Sequence, residues 1–136
     1  MDQITVNASV DQVKAVTRFV NDHLDAPGCS VRARVQVNVA IDEIFSNIAR
    51  YAYTSGTGPV TVGIEVKGDP QCAIIQFIDR GRPYDPLAAE IPDITRLPKE
   101  ERPVGGLGLF MVKKITDDIS YEYKDGQNIL TIRKRI

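Results

Sequence analysis

The stretch that decides the fold is AIDEIFSNIARYAY, residues 40–53. With the residues before it, this stretch carries an apolar stripe at steps of four or three residues: Val37, Ile41, Ile44, Ile48 and Ala52. Such spacing is typical of a helix with one buried face. Glu43 and Asn47 lie one helical turn apart on a second stripe that flanks the buried one, together with Gln36, Ala40 and Arg50. A carboxylate can take a proton and an amide oxygen can hold a hard cation, so this pair is the candidate chemical centre.

The segment just before this stretch has two interpretations. From Ser30 to Val39, valines and alanines alternate with polar residues, which is typical of a half-buried strand. No turn residue, however, separates this segment from the helix that follows. We therefore predict one long helix capped by Ser30.

Apolar periodicity and turn residues predict the remaining elements. We predict strands at residues 3–8, 60–66, 72–78, 119–123 and 129–132, and further helices from Val10 to before Pro27 and from Leu107 to Thr116. The order predicts an α+β fold, a two-layer sandwich in which three helices cover one face of a mixed, mostly antiparallel sheet. The proline-rich segment from Pro83 to Val104 is long for a connection, and we interpret it as a functional lid or a partly disordered segment.

Size and composition narrow the function classes. The 136 residues fit one domain, residues 1–136, and the 17 Lys and Arg against 18 Asp and Glu give no reason to expect nucleic acid or a membrane as partner. Cys29 and Cys72 form no zinc motif, and no secretory signal precedes them, so we expect a cytoplasmic protein. His23 is interpreted as structural.

Two glycine-bearing segments can complete a nucleotide site around Glu43 and Asn47. Asp79-Arg80-Gly81 ends a predicted strand, and Gly105-Gly106-Leu107-Gly108 opens a predicted helix, where backbone amides favour a phosphate. Each segment alone is also common turn chemistry. The glycine run follows no strand of a βαβ unit and precedes no Lys-Ser or Lys-Thr, which excludes the Rossmann and Walker motifs.

The joint order of these motifs resembles the bacterial anti-sigma-factor serine/threonine kinases, a branch of the GHKL or Bergerat-fold ATPases. AIDEIFSNIARYAY, FIDRGRPYDP and VGGLGLFMV follow one another as in that family. The resemblance covers nearly the whole chain. It implies a histidine-kinase-like ATPase domain that binds ATP and Mg²⁺.

The resemblance also assigns roles to individual residues. Glu43 matches the catalytic carboxylate, Asn47 the Mg²⁺ ligand, Asp79 the aspartate that reads the adenine amino group, and Gly81 the glycine that lets the base lie close. The glycines of the helix start match those at the phosphates: Gly105, Gly106 and Gly108. A basic residue of the lid would reach the terminal phosphate, with Arg102 preferred over Arg96 and Lys99.

The chain departs from the family pattern at two places. Tyr51 stands where many relatives have a histidine, and Gly126-Gln127-Asn128 stands where a Gly-Thr pair usually opens the last strand. The first departure changes the polar surroundings of the site. The second removes a hydroxyl that can bond the adenine.

The function implied by the resemblance is an ATP- and Mg²⁺-dependent serine/threonine protein kinase that acts as an anti-sigma factor in a partner-switching system. Its partners would be a sigma factor or other regulated protein, an antagonist with a phosphorylatable serine, and a second copy of itself, with the partner surface including the first helix. One alternative is a nucleotide-binding regulator that captures a partner without kinase activity. Another is a detached histidine-kinase ATP domain, which the short lid disfavours.

Overall fold

The computed structural model describes residues 1–54, 56–87 and 106–136. Its helices and strands, in chain order, are β1 (Asp2–Asn7), α1 (Val13–Asp25), α2 (Val31–Tyr51), β2 (Pro59–Lys67), β3 (Cys72–Asp79), α3 (Gly106–Ile115), β4 (Asp118–Lys124) and β5 (Gln127–Arg135). A short 3-10 turn, Val10–Gln12, precedes α1. The predicted α+β fold, with three helices and a five-stranded sheet, is confirmed.

The long helix α2 is confirmed over the passage where the sequence allowed a strand. The Ser30 hydroxyl oxygen accepts a hydrogen bond from the Ala33 amide at 3.1 Å and so caps the helix. A strand would place the alternating small residues on one face, but Val31 and Val35 are 81% and 55% exposed whereas Ala33 and Val37 are buried. Helical geometry separates these pairs because residues four apart share a face.

The sheet has the strand order β1-β2-β3-β5-β4, and all four neighbouring pairs of the described strands are antiparallel. The sequence predicted a mixed sheet, so the expected parallel pair is absent from these strands. Two helices lie between β1 and β2. They return the chain to the end of the sheet where β1 finished, so that β2 runs opposite to β1.

The core lies between the helices and one face of the sheet. On β3, Ala73, Ile75 and Phe77 are buried and alternate with half-buried Ile74 and Gln76. Helix α1 contributes side chains at four-residue steps, and α2 and α3 complete the cluster: Val16, Val20, Leu24, Val37, Ile41, Ile44, Phe45, Leu109 and Val112. Ala40, which the sequence placed on the flanking stripe, is instead fully buried and belongs to the core.

The predictions for His23 and the two cysteines concern the packing of these elements. The His23 ring is hydrogen-bonded to the Phe19 carbonyl oxygen on α1 and to the Asp2 carboxylate on β1, so in the described structure it connects α1 to β1. Cys29 and Cys72 are free thiols.

Among the helices of the described residues, none has the length and apolar content needed to cross a bilayer.

One end of the sheet collects the residues that matter for the site. At this end Asp79 is paired with Val60 on one side and with Asn128 on the other. The last turn of α2 reaches the same end, since the Ala52 carbonyl accepts a hydrogen bond from the Arg82 amide at 3.0 Å. Helix α2 therefore runs toward the position where β3 ends.

Candidate functional site

Asp79 is a buried carboxylate at the end of β3. The alternation that buries Ile75 and Phe77 continues to Asp79, which is 5% exposed. Its Oδ1 accepts hydrogen bonds from the Gly81 amide and from the Asn128 side-chain nitrogen, both at 2.9 Å. Among the described residues no donor is bonded to Oδ2. The carboxylate is thus held by one oxygen, and the other is the one that a ligand can use.

Gly81 lies directly against the end of α2. A Cβ at this position would be 2.2 Å from the Ala52 carbonyl oxygen and 2.8 Å from the Ala52 Cβ. The glycine is therefore required by the contact between the turn after β3 and the last turn of α2. This is a reason for Gly81 that the sequence did not give, and its role beside a base remains a prediction.

Tyr53 fixes the same junction from the other side. Its hydroxyl donates to the Pro59 carbonyl at 2.6 Å and accepts from the Arg80 amide at 2.9 Å. Its ring fills the space beside Gly58, where a Cβ would be 2.3 Å from the ring. Burial raises the pKa of the Tyr53 hydroxyl, so the group stays a proton donor at neutral pH. Sequence reasoning missed Tyr53, although a tyrosine placed between a helix end and a glycine-rich break was a usable signal.

Asn128 was noted in the sequence only as a departure from the family pattern, and the structure makes it a central residue. It is 7% exposed and donates to Asp79, the residue opposite it across the β3–β5 pair. The Tyr121 hydroxyl on β4 donates to the Asn128 side-chain oxygen Oδ1. Tyr51, the other departure, is 44% exposed at the end of α2.

Glu43 and Asn47 lie on α2, half-buried beside the buried Ala40 and Ile44. Four residues of helix separate them by about 6 Å along the axis, and Asn47 precedes Ala52 by about 7.5 Å. The structure therefore places both predicted residues on the helix that ends against the Asp79 turn. The carboxylate and the amide share one side of α2, as the spacing predicted.

The glycine-rich helix start is described only in part. Helix α3 begins at Gly106 and includes Gly108 in its first turn, so the predicted helix is confirmed from that point. Arg102 and Gly105, and the alternatives Arg96 and Lys99, lie outside the described residues. Of the predicted lid, only the first residues are described, where the Tyr84 amide donates to the Asn128 side-chain oxygen at 3.2 Å.

Comparisons with known proteins show which family the chain is similar to. The family model of the histidine kinase-like ATPase domain matches residues 6–134. The chain is 30% identical over 103 residues to the serine/threonine-protein kinase BtrW of Bordetella bronchiseptica, a match that covers 76% of this chain and 71% of BtrW. It is 29% identical over 97 residues to the serine-protein kinase RsbW of Bacillus cereus, covering 69% of this chain and 59% of RsbW.

A solved structure shares the fold. The structure of the RsbU and RsbW domains of Rv1364c from Mycobacterium tuberculosis superposes with a TM-score of 0.67 at 16% identity, covering 99% of this chain and 32% of that one. The predicted resemblance is confirmed, and the prediction of a serine/threonine kinase agrees with the names of the curated relatives. With its buried aspartate at the end of β3 and its match over nearly the whole length, the chain belongs to the histidine kinase-like ATPase domain family.

Proposed function

We propose that this protein is an ATP- and Mg²⁺-dependent serine/threonine protein kinase that acts as an anti-sigma factor and phosphorylates a serine of an antagonist protein. The observation that carries the proposal is the Asp79 carboxylate, buried and bonded through Oδ1 alone by the described residues. The names of the relatives BtrW and RsbW support the kinase class.

Asp79 would select the base. A carboxylate oxygen accepts hydrogen bonds and cannot donate them when ionised, so Oδ2 suits the 6-amino group of adenine. The Gly81 and Asn128 donors hold Oδ1 in place, which reduces the entropy lost when a base binds. Gly81 would lie beside the base, and it lets the turn after β3 pack against the Ala52 backbone, where a Cβ would not fit.

The phosphate end would be formed by α2 and α3. The first amides of α3, from Gly106 onward, carry no intrahelical partner and favour an anion. The Asn47 amide oxygen can hold Mg²⁺, which in such sites takes few protein ligands and several phosphate and water oxygens. This fits the described residues, which contain no group of three or more His, Cys, Asp or Glu placed to hold a metal by themselves. When bound, Mg²⁺ neutralises charge on the phosphates.

Glu43 would act on the protein substrate. One helical turn from Asn47, its carboxylate can orient the serine hydroxyl and take its proton. The serine oxygen would form a bond to the γ-phosphorus of ATP as the bond from that phosphorus to the bridging oxygen breaks and ADP leaves. The phosphate adds about −1.5 to −2 charges to the antagonist at neutral pH, which would release it from an interface built for the uncharged serine.

Partner capture would use the outer side of α1. A groove between α1 and α2 is lined by side chains of both signs of charge, Lys14, Arg18, Asp22 and Asp42. Exposed charges of this kind guide specific association and oppose mismatched partners. A sigma factor, or another regulated protein, and a second copy of this chain are the proposed partners of this surface.

The test uses the purified chain with labelled ATP, Mg²⁺ and the antagonist encoded nearest to it. We expect phosphoserine on the antagonist, loss of ATP binding in Asp79→Asn, and intact ATP binding without phosphotransfer in Glu43→Ala. The exposed Glu122→Ala is the control for carboxylate removal. ATP binding without phosphoserine would reject the kinase and favour a regulator that only captures its partner. Unchanged ATP affinity in Asp79→Asn would reject the base assignment.

A further inference from the structure

Asn128 uses both hydrogens of its side-chain amide within the protein. Its nitrogen donates to Asp79 Oδ1 and to the Arg82 carbonyl oxygen, both at 2.9 Å, and lies 3.4 Å from the Gly81 carbonyl oxygen. The first bond crosses from β5 to β3, and the others reach the turn after β3. A single side chain therefore connects the carboxylate to the backbone that follows it.

The Asn128 oxygen is used as well. It accepts from the Tyr84 amide at 3.2 Å and from the Tyr121 hydroxyl. The orientation of the amide follows from these partners, because a backbone N–H can only donate and the Arg82 carbonyl can only accept. The Tyr121 hydroxyl must then be the donor to Asn128, and burial raises its pKa, which keeps the proton in place at neutral pH.

A hydroxyl group at position 128 would have one hydrogen to donate, whereas the amide has two. One hydrogen alone could hold the carboxylate or the following turn, but not both. With two, Asn128 fixes the rotamer of Asp79 and the path of the chain from Arg82 to Tyr84 together. Since the amide nitrogen is satisfied by protein acceptors, base recognition falls to the carboxylate.

We propose, on the basis of the nucleotide site proposed above, that Asn128 is a positioning residue that sets Asp79 so that Oδ2 reads the 6-amino group of adenine, with Tyr121 holding the amide in turn. A residue with only a structural role would affect the binding of all nucleotides alike. A residue that aims Asp79 affects only those nucleotides that carry the amino group. ATP and ITP differ at this position, because ITP has a carbonyl oxygen that cannot donate to a carboxylate.

The experiment measures the affinities of the purified chain for ATP and ITP in the wild type and in Asn128→Ala, Tyr121→Phe and Tyr123→Phe. We expect the ratio of ATP to ITP affinity to fall about tenfold in Asn128→Ala and about threefold in Tyr121→Phe, the effects of losing one or part of one hydrogen bond. Tyr123→Phe is the matched control, since Tyr123 lies on the same strand and is 47% exposed. It should leave the ratio unchanged.

A second readout needs no nucleotide. In the free protein, amide hydrogen exchange at Tyr84 and Gly81 should be at least about tenfold faster in Asn128→Ala, while the β-ladder amides of Phe77 and Ile132 keep their wild-type protection. In Asn128→Ala the Tyr84 amide loses its acceptor, the Asn128 side-chain oxygen. The Gly81 amide keeps its acceptor, Asp79 Oδ1, but that oxygen is no longer held by Asn128. If Asn128→Ala increases exchange throughout the sheet, Tyr121→Phe is measured instead. This variant keeps the Asn128 side chain and removes only the hydroxyl that donates to it.

The outcomes separate the two proposals. Two outcomes overturn the role of Asn128 alone, provided that Asp79→Asn still abolishes ATP binding. One is an equal loss of ATP and ITP affinity in Asn128→Ala, and the other is an unchanged ratio of ATP to ITP affinity in both Asn128→Ala and Tyr121→Phe. A wild-type protein that binds neither nucleotide overturns the proposed function, and the reading of adenine with it. A selective loss of ATP affinity together with faster exchange at Tyr84 supports both.

Discussion

Asp79 and Asn47 belong to one proposed site, but the protein holds them in different ways. Asp79 is 5% exposed and is fixed by hydrogen bonds from the turn after it and from the neighbouring strand. Asn47 is half-buried, and within the described residues its position comes from the backbone of α2 and the packing of its neighbours. Within the described residues, Asp79 is therefore held by side-chain hydrogen bonds from two neighbouring segments, whereas the proposed metal ligand Asn47 is positioned by its helix.

The difference between Asp79 and Asn47 shows which part of the proposed site needs a rigidly held side chain. The proposed adenine contact depends on one acceptor atom pointing in one direction, so surrounding bonds are useful there. A Mg²⁺ ion bound mainly by phosphates and water needs one oxygen from the protein, and helix packing positions it well enough. Changes at the Asp79 turn should therefore disturb the fold more than a change at the half-buried Asn47.

The largest expected effect is that of Gly81→Ala. The added Cβ meets the Ala52 backbone, which cannot yield as a side chain can, so we expect a loss of about 3 kcal/mol in the free energy of unfolding, measured by urea denaturation. Gly63→Ala is the matched control, because the nearest atom to its Cβ is the Met1 sulfur at 2.5 Å, at the end of a flexible side chain. Equal effects of the two variants would contradict the contact with α2.

Tyr53→Phe should have the next largest effect. It leaves the Pro59 carbonyl and the Arg80 amide without their hydroxyl partner, at a cost of about 1.5 kcal/mol in unfolding free energy. Tyr51→Phe, the same change two residues earlier on an exposed side chain, should cost about 0.3 kcal/mol or less. If the two changes prove equal, Tyr53 does not hold this junction.

The free energy of unfolding should also fall at alkaline pH, because Tyr53 and Tyr121 hold the region around Asp79. Burial raises the folded-state pKa of Tyr53 and Tyr121 above the ordinary value for tyrosine. The stability that each provides is complete below the unfolded pKa and is lost as the pH rises through the folded pKa. Urea unfolding at about pH 8 and about pH 11 should show a smaller alkaline loss in Tyr53→Phe and Tyr121→Phe than in the wild type. If the variants lose as much unfolding free energy at alkaline pH as the wild type, these two hydroxyls do not cause the alkaline loss.

The smallest effect on the fold is expected for Asn47→Ala, with a change of less than about 0.5 kcal/mol in the free energy of unfolding. The same variant should remove the dependence of ATP affinity on Mg²⁺, measured by titration with and without the metal. Gln36→Ala, on the same side of α2 and also half-buried, should keep that dependence. A strong loss of stability in Asn47→Ala would mean that this residue is structural.

The sequence predicted what local patterns determine. The α2 helix, the β2–β3 hairpin and the Asp79 turn follow from periodicity, capping and turn chemistry within a few residues. The roles of Asn128 and Tyr53 did not follow, because the bonds that tie them to the turn after β3 span 44 to 49 residues for Asn128 and 27 residues for Tyr53. The antiparallel order of the whole sheet also depends on how two helices return the chain.

The contact between Gly81 and Ala52 has a consequence for the design of variants. A side chain at position 81 requires the end of α2 to retreat, and a retreat without that side chain leaves a void beside the Asp79 turn. Positions 52 and 81 should therefore change together or not at all. In a library that randomises both, we expect the surviving sequences to pair residues by combined volume, because the contact between these two positions sets the distance between the end of α2 and the turn after β3.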